Sequence, residues 1–319
     1  MSRQAFIPLP ASKLQIAVAF AAVYLIWGST YLTIRIAIES IPPLLMAGTR
    51  FVLAGLILLA IVWRPGAARE RPTRRQWLSA LVIGACLLLG GNGIVTWGEQ
   101  YVGTGLVALI VATVPLWMAL LAPLFGGAWV RWTAAAGVAI GLAGVVLLLR
   151  PGGAAPTEWQ TFVVPLSPLI WACGSLYAQR APVPRQALTA TAMEMLAGGV
   201  LLGIAGLALG EAGRVHLDTI TAASAWSFAY LVLIGSLVGY TAYIWLLHHV
   251  SSTSASTYAY VNPLVAVLLG AIVLGEPVTW LTAIAGLMIL AAVALILGSR
   301  HNAGRAAAHK PPEPVVEVA

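Results

Sequence analysis

Two charged side chains, Arg50 and Glu194, lie deep inside apolar runs of the sequence. A charged group in hydrocarbon costs roughly 2.5–3.5 kcal/mol on insertion scales, so it needs a reason to be there. A rise of 1.5 Å per residue puts each group about 12 Å from opposite surfaces of an apolar layer about 30 Å thick, and therefore at similar depth. Glu194 could bind a proton or a substrate amine, with Arg50 modulating it. Alternatively, the two could form a permanent structural pair or face water separately.

Polar and aromatic side chains recur at steps of three or four residues along several apolar runs, which places each set on one side of a helix. Because polar groups inside a bilayer avoid lipid, such sets face protein or water. One interpretation is a central substrate cavity; the other is hydrogen bonding between helices with no ligand involved. The candidate cavity residues are Tyr24, Trp27, Tyr31, Asn92, Thr96, Trp171, Ser236, Tyr240, Tyr243, Tyr258 and Asn262.

Pro115 and Pro263 occupy matching positions in two apolar runs. Proline removes a backbone hydrogen bond and bends a helix, so these residues are either paired hinges or passive kinks. Glu276 lies in a turn between two runs and has either a capping or a transport role.

The sequence lacks the groups that common membrane enzymes use. Its single aspartate, Asp218, excludes an intramembrane protease with two aspartates. It contains no HExxH metal motif, no GxSxG nucleophile motif and no GxxxxGKS/T phosphate loop. We therefore expect no enzyme activity, no metal and no other cofactor.

Composition places the candidate residues in a membrane. The 319 residues are 60% hydrophobic and 8% charged, whereas soluble domains carry roughly 25% charged residues. A spanning helix needs about 20 mostly apolar residues. By this measure the sequence predicts ten helices, of which the sixth is broken by Pro165 and Pro168: Leu14–Ile34, Pro42–Trp63, Trp77–Trp97, Gly103–Phe125, Trp132–Leu149, Phe162–Gln179, Gln186–Leu209, Ala225–Leu247, Ser254–Gly275 and Val278–Gly298.

Basic residues predict the orientation. With a cytoplasmic N-terminus, 13 of the 17 lysines and arginines lie in cytoplasmic segments, three lie outside, and Arg50 lies within a helix. Since cytoplasmic loops are enriched in Lys and Arg, both chain ends are predicted in the cytoplasm. The net charge of +7 is thus explained by membrane orientation rather than by nucleic-acid binding.

The chain is predicted to consist of two repeats. A shift of 148 residues aligns Gly91 with Gly239, Trp97 with Trp245, Pro115 with Pro263 and Trp132 with Trp280; a shift of 144 aligns Trp27 with Trp171 and Arg50 with Glu194. Each repeat has five predicted helices, and an odd number inserts the second repeat upside down, as in many secondary transporters. The predicted units are a cytoplasmic N-terminus (1–13), two repeats (14–150 and 162–298) and a disordered cytoplasmic tail (299–319).

Five segments resemble the drug/metabolite transporter superfamily and, within it, EamA-domain exporters of the YedA type. They are Tyr24–Tyr31, Pro42–Phe51, Val111–Trp117, Tyr258–Leu269 and Gly275–Pro277. The resemblance covers residues 15–298. It implies a ten-helix fold with tandem EamA repeats, a bacterial inner-membrane location, and efflux of amino acids, metabolites or drugs.

These features predict an all-α membrane protein that exports small organic solutes by alternating access through a central cavity. The expected partners are a small-molecule substrate and the lipid bilayer, without nucleic acid; the substrate, the coupling ion and the oligomeric state stay open. A channel or a membrane receptor subunit is the alternative. The polar sets are sparse and aromatic for the continuous pore that a channel needs.

Overall fold

The structure is a computed structural model that describes residues 12–64, 71–126, 129, 132–149, 159–250 and 257–308. Across these residues the regular secondary structure is helical, with no strand. The prediction of an all-α fold is therefore confirmed. Outside the described residues lie most of the predicted N-terminal segment, the tail from residue 309, several basic residues used for the orientation, and the predicted start of the ninth helix at Ser254.

We number the helices in chain order, as follows: α1 Lys13–Ala37, α2 Pro43–Val62, α3 Arg74–Gly98, α4 Thr104–Phe125, α5 Trp132–Leu149, α6 Trp159–Ala178, α7 Ala187–Ala208, α8 222–249, α9 Tyr258–Leu274 and α10 Trp280–Ala308. Among the described residues, seven of these helices (α1–α4 and α6–α8) are long and apolar enough to cross a membrane. The other three contain shorter apolar stretches, Ala135–Leu149, Tyr258–Leu274 and Trp280–Ile296. Helices of this length and composition make the chain a multi-pass membrane protein.

Two helices contain a π-helical stretch, Ala85–Gly93 in α3 and Leu231–Val238 in α8. The wider turn is visible at Ser236, whose Oγ donates to the carbonyl oxygen of Leu231, five residues back, at 3.0 Å. π-helical turns are rare and frequently mark functional sites. The two stretches lie in the third helix of each predicted repeat, a correspondence that the sequence pattern does not reveal.

The two matched prolines have different local effects. In α4, helical turns end at Val111 and resume at Val114, so Pro115 lies in the first turn of a new helical segment. Proline is tolerated there because its missing N–H would have no partner within the helix. In α9, the helix continues without a break through Pro263. Of the two prolines, Pro115 alone interrupts its helix.

Some helix boundaries differ from the predicted ones. α6 begins with a 3₁₀ turn at Trp159–Val163, and its α-helical part, Leu166–Ala178, begins directly after Pro165. α10 continues to Ala308, past the predicted end at Gly298. Alanines in this extension favour helix, so residues 299–308, which we predicted to be disordered, are helical.

The helices pack closely where small residues face each other. A Cβ on Gly48 of α2 would lie 2.8 Å from the backbone nitrogen of Gly203 in α7, and one on Gly137 of α5 would lie 2.9 Å from the carbonyl oxygen of Ala292 in α10. These two helix pairs make the most extensive contacts in the described structure. Small residues let the backbones approach, and the resulting van der Waals contact holds membrane helices together. Each pair joins one predicted repeat to the other.

The outer surface of the bundle is apolar. Large hydrophobic side chains such as Leu14, Leu124 and Ile272 are mostly exposed, which suits a lipid environment. Trp132 and Trp280, at the starts of α5 and α10, have exposed fractions of 91% and 69%. Tryptophan at helix ends is typical of the membrane–water interface.

Candidate functional site

Four aromatic rings from three helices meet inside the bundle. The ring centroid of Trp27 in α1 lies 5.1 Å from those of Tyr243 in α8 and Tyr258 in α9, and 5.9 Å from that of Tyr240 in α8. Tyr243 and Tyr258 lie 5.7 Å apart with perpendicular rings. We call these four residues the aromatic cluster. Such rings bind flat or cationic groups, and here they come from both predicted repeats.

Glycines in the π-containing helices make room for the tryptophans. A Cβ on Gly239 would lie 2.7 Å from Nε1 of Trp27, and a Cβ on Gly91 would lie 2.5 Å from Cε3 of Trp171. The two contacts correspond, because the repeat aligns Trp27 with Trp171 and Gly91 with Gly239. The predicted cavity residue Trp171 therefore packs on α3 in the way that Trp27 packs on α8, away from the aromatic cluster.

Glu194 of α7 lies beside the aromatic cluster. Its side chain and that of Tyr240 line the same small cavity of about 10 Å³, together with Leu87, Leu88 and Met195. A cavity of this size holds about one water molecule. The carboxyl group thus adjoins the cluster on the side of α7, where it can add a negative charge to the ring faces.

Arg50 does not pair with Glu194. Its Nε donates to Oγ of Ser236 at 3.0 Å, and its guanidinium carbon lies 4.7 Å from the ring centroid of Phe51. The ionisable carboxyl group in its electrostatic surroundings is that of Glu99, at the end of α3. Nη1 of Arg50 has no hydrogen-bond partner among the described residues. Of the alternatives that the sequence left open, a direct pair is absent in this conformation.

Glu99 is fully buried next to two arginines. Arg35 of α1 donates from Nη1 to the backbone carbonyl oxygen of Glu99. Neither carboxyl oxygen of Glu99 has a hydrogen-bond partner in the described part of the chain. Burial raises the pKa of Glu99 well above its ordinary value, the nearby charge of Glu276 raises it further, and Arg35 and Arg50 lower it.

Two other carboxylates cap helices at the same end of the bundle. Glu276 accepts hydrogen bonds from the backbone N–H of Thr104 at 2.7 Å and of Gly105 at 3.2 Å, and from the Thr104 hydroxyl at 3.0 Å, at the start of α4. Glu211 accepts from the N–H groups of Leu44 at 3.2 Å and Leu45 at 2.9 Å, at the start of α2. The N–H groups and dipole of a helix N-terminus stabilise a negative charge. We call this end the capped end.

Comparison with known proteins identifies the family. Residues 14–150 and 159–298 match the EamA-like transporter family. The chain is also 42% identical over 287 residues to "Uncharacterized inner membrane transporter YedA" of Escherichia coli (strain K12), covering 88% of this chain and 90% of that protein. The chain belongs to the EamA-like transporter family.

Two more distant sequences and a solved structure are also similar. "Protein PagO" of Salmonella typhimurium is 27% identical over 260 residues, covering 81% of this chain and 84% of PagO. A "Probable terminal-alkyne amino-acid exporter" of Streptantibioticus cattleyicolor is 27% identical over 279 residues, covering 88% and 91%. A crystal structure at 18% identity matches with a TM-score of 0.60, over 92% of this chain and 99% of that one, which supports the same fold.

Several predicted cavity residues of this EamA-family chain bind other helices or their own. The amide of Asn262 is oriented with its nitrogen towards two backbone carbonyl oxygens. It donates to those of Tyr258 and Tyr24, at 3.2 and 3.3 Å. Thr96 donates to Oδ1 of Asn92 at 3.3 Å. The hydroxyls of Tyr24 and Thr257 are 2.5 Å apart. For these residues, the interpretation as hydrogen bonding between and within helices fits the contacts better than a cavity lining.

Tyr31 and Ser236 lie towards the capped end rather than in the aromatic cluster. Tyr31 packs with Val95 and Val102 and lies near Glu99. Ser236 accepts the hydrogen bond from Arg50. The predicted set of polar residues is therefore divided into an aromatic group around Trp27 and a charged group around Glu99.

A groove lies on the outside of the bundle, between α1 and α8. It measures about 710 Å³ and is lined by Leu14, Val18 and Ala22 of α1 and by Leu237, Thr241 and Trp245 of α8. Its lining is mainly apolar and it is open to the surroundings. It is therefore a lipid-facing groove, separate from the buried aromatic cluster.

Sequence reasoning missed the charged group at the capped end. Arg35, Glu99 and Glu211 are not among the candidate residues that the sequence indicates. Glu99 lies three residues after Thr96, on the side of the helix that carries Asn92 and Thr96, and this spacing signals an inward direction. No local pattern signals that Glu211 reaches the start of α2, because the contact joins residues far apart in the chain.

Proposed function

We propose that the chain is a secondary transporter that exports small organic metabolites, amino acids or drugs across the bacterial inner membrane by alternating access. Its fold would be ten spanning helices arranged as two inverted five-helix repeats with both termini in the cytoplasm. The capped end would then face the outside. The observation that carries the proposal is the contact of Trp27, from the first repeat, with Tyr243 and Tyr258, from the second.

An aromatic cluster between the repeats supports alternating access. Inverted repeats place a substrate site near the midplane and move against each other around it. Rings from different repeats separate or approach when the repeats move, so contact between them changes with each state. The paired contacts of Trp27 with Gly239 and of Trp171 with Gly91, together with the π-helical stretches in α3 and α8, support the inverted relationship.

The chemistry of the site favours a substrate that carries an amine and an apolar or flat group. Ring faces attract cations, and a nearby carboxylate strengthens that attraction. Glu194 adjoins Tyr240 and is the acidic residue of this region. The similarity to a protein named as an amino-acid exporter supports the same substrate class. Within this proposal, Glu194 binds the substrate amine or a proton in its place.

Counterflow in proteoliposomes tests the proposal. The full-length protein is reconstituted, loaded with unlabelled amino acids or organic amines, and assayed for uptake of the radiolabelled compound. Saturable counterflow supports a carrier; flux that rises linearly with concentration would indicate a channel, and binding without flux a receptor subunit. We expect Trp27→Ala to reduce counterflow about tenfold, corresponding to a contact worth about 1.4 kcal/mol.

Trp280→Ala is the matched control. Trp280 lies at the start of α10, has an exposed fraction of 69% and is not part of the aromatic cluster. Equal loss in both variants would contradict the assignment of Trp27 to the substrate site. Tags on the two chain ends test the topology separately: both should be protected inside intact cells. Detection of the two ends on different sides would contradict the inverted-repeat arrangement.

A further inference from the structure

Three carboxyl groups at the capped end, those of Glu99, Glu211 and Glu276, differ in the hydrogen-bond donors around them. Glu211 and Glu276 each accept at least two hydrogen bonds from backbone N–H groups at a helix N-terminus. Glu99, with an exposed fraction of 0%, has no donor for either oxygen among the described residues. The first two sites are built for a carboxylate anion. The third is not.

A buried carboxylate anion without hydrogen bonds is strongly disfavoured, since its solvation is lost and nothing replaces it. The neutral, protonated form avoids most of that loss. The negative charge of Glu276 also disfavours a second anion nearby, and the burial of Glu99 acts in the same direction. In this conformation, therefore, the favoured form of Glu99 carries a proton.

The surroundings also contain the groups that would stabilise the anion. Arg35 of α1 and Arg50 of α2 are the cations near the carboxyl group, Glu276 is the anion, and Tyr31 of α1 is the remaining titratable neighbour. Nη1 of Arg50 is buried and lacks a hydrogen-bond partner among the described residues, as the carboxyl oxygens of Glu99 do. A movement that brings these two groups together would satisfy both.

We propose that Glu99 is a proton-binding site at the capped end, protonated in the conformation of this structure and paired with Arg50 after the proton leaves. The O–H bond of the carboxyl group breaks, the proton passes to water on the outside, and the resulting carboxylate accepts from Nη1 of Arg50. Proton release is thereby linked to a rearrangement between α2 and α3. The use of this site in transport rests on the proposed function, but proton binding itself does not.

Infrared difference spectroscopy of the full-length protein in liposomes, titrated with acid and base, tests the site directly. A protonated carboxyl group gives a carbonyl stretch that disappears on ionisation. To remove the contribution of Glu194, the comparison is made in the Glu194→Gln background. We expect a band that is lost on adding Glu99→Gln and kept on adding Glu39→Gln, since Glu39 is an exposed residue at the same end. An unchanged band in the Glu99 variant would overturn the proposal.

Two further variants test the surroundings. Removing the cation in Arg50→Gln should shift the midpoint of the Glu99 band to higher pH by about one unit or more, because an opposite charge favours the anion by that amount. Removing the anion in Glu276→Gln should shift it to lower pH. Shifts of the same sign in both variants would contradict the assignment. Glu99→Asp keeps a carboxyl group and should restore a titrating band, so loss of fold in Glu99→Gln would be detected.

Failure of this proposal and failure of the proposed function give different results. Normal saturable counterflow with no band from Glu99 would contradict the proton-binding site and support the proposed transporter function. A titrating Glu99 in a protein without counterflow would support the proton-binding site and contradict the carrier function.

Discussion

Trp27 lies so close to Gly239 that a Cβ on the glycine would be 2.7 Å from the indole Nε1. This contact joins α1 to the junction between the π-helical and α-helical parts of α8. It fixes the position of the indole, which in turn contacts the other three rings of the aromatic cluster. The glycine is therefore required by the tryptophan opposite it rather than by its own backbone conformation.

We expect Gly239→Ala to displace the indole and to destabilise the protein by about 1–3 kcal/mol, as overpacking of a filled interior usually does. Counterflow should fall with it. Gly203→Ala in α7 is the matched control, because nothing lies within 4 Å of its Cβ position. Thermal unfolding in detergent compares the two. Equal unfolding temperatures for both variants would show that the space beside Gly239 is larger than the structure indicates.

Removing the cap at the start of α4 should destabilise the capped end. Glu276→Ala deletes three hydrogen-bond acceptor contacts to Thr104 and Gly105. Loss of hydrogen bonds to a charged group typically costs about 1.5–3 kcal/mol, and we expect a loss in this range. Glu276→Gln should lose less, since one amide oxygen still accepts. Glu39→Ala should have no effect on the unfolding temperature, and an equal effect would contradict a specific cap.

The stability of the protein should depend on pH through Glu99. Its pKa in the folded protein is raised above the ordinary value of 4.5, so the folded state holds a proton that the unfolded chain has released. The stabilising contribution is therefore complete below about pH 4.5 and is lost as the pH rises towards the folded-state pKa. Thermal unfolding of the wild type and of Glu99→Gln across this range measures it. The difference in unfolding temperature should change with pH; a constant difference would contradict the shift.

Glu194→Gln should weaken binding of an amine substrate at the aromatic cluster. The loss of one charge–charge contact predicts a KM about tenfold higher or more, with a well-folded protein. Counterflow with an amine and with its uncharged analogue separates charge recognition from damage to the site. The pH dependence of counterflow should also decrease in this variant. If KM and pH dependence both stay as in the wild type, Glu194 has no part in the mechanism.

Pro115 and Pro263 should differ as hinges. Pro115→Ala restores an N–H and removes the reason for the break between Val111 and Val114. We expect α4 to become continuous and counterflow to slow, with stability unchanged or higher. Pro263→Ala, in the unbroken helix α9, should change transport less. Single-turnover measurements in proteoliposomes compare the two rates, and equal slowing would favour matched hinges.

The sequence predicts the apolar helices and includes the four residues of the aromatic cluster among its eleven candidates, because both depend on local spacing. Apolar length identifies the helices, and steps of three or four residues place Trp27, Tyr243 and Tyr258 on inward sides of theirs. The π-helical turns are harder to predict from the sequence. The π-helical stretches depend on an extra residue in each turn, and no residue type in α3 or α8 marks where that residue is accommodated.

The interaction partners of the charged side chains are harder to predict from the sequence than their depth in the membrane. The sequence predicts similar depths for Arg50 and Glu194, but depth along a helix does not fix the direction in which a side chain points. Arg50 points to Ser236 and the side of Glu99, which comes from another part of the chain. The same reason explains the missed cap of Glu211, whose contact with the start of α2 is set by packing of the whole bundle. For Glu276, the contact with Thr104 is the capping role that the sequence analysis gave as one of two alternatives.

The carboxylate caps make the two ends of the bundle unequal, although the sequence of one half repeats in the other. The shift of 148 residues aligns Glu276 with Ala128, which has no carboxylate. A carrier whose openings to the two sides of the membrane were equivalent would spend equal time open to each side. Its empty form would have no preferred resting state. The hydrogen bonds that Glu211 and Glu276 accept at one end would bias that balance, so that opening at this end would need more free energy than opening at the other. In a carrier of the proposed kind, Glu211 and Glu276 would thus set which resting state is preferred, whereas the solute and ion gradients would set the direction of net transport.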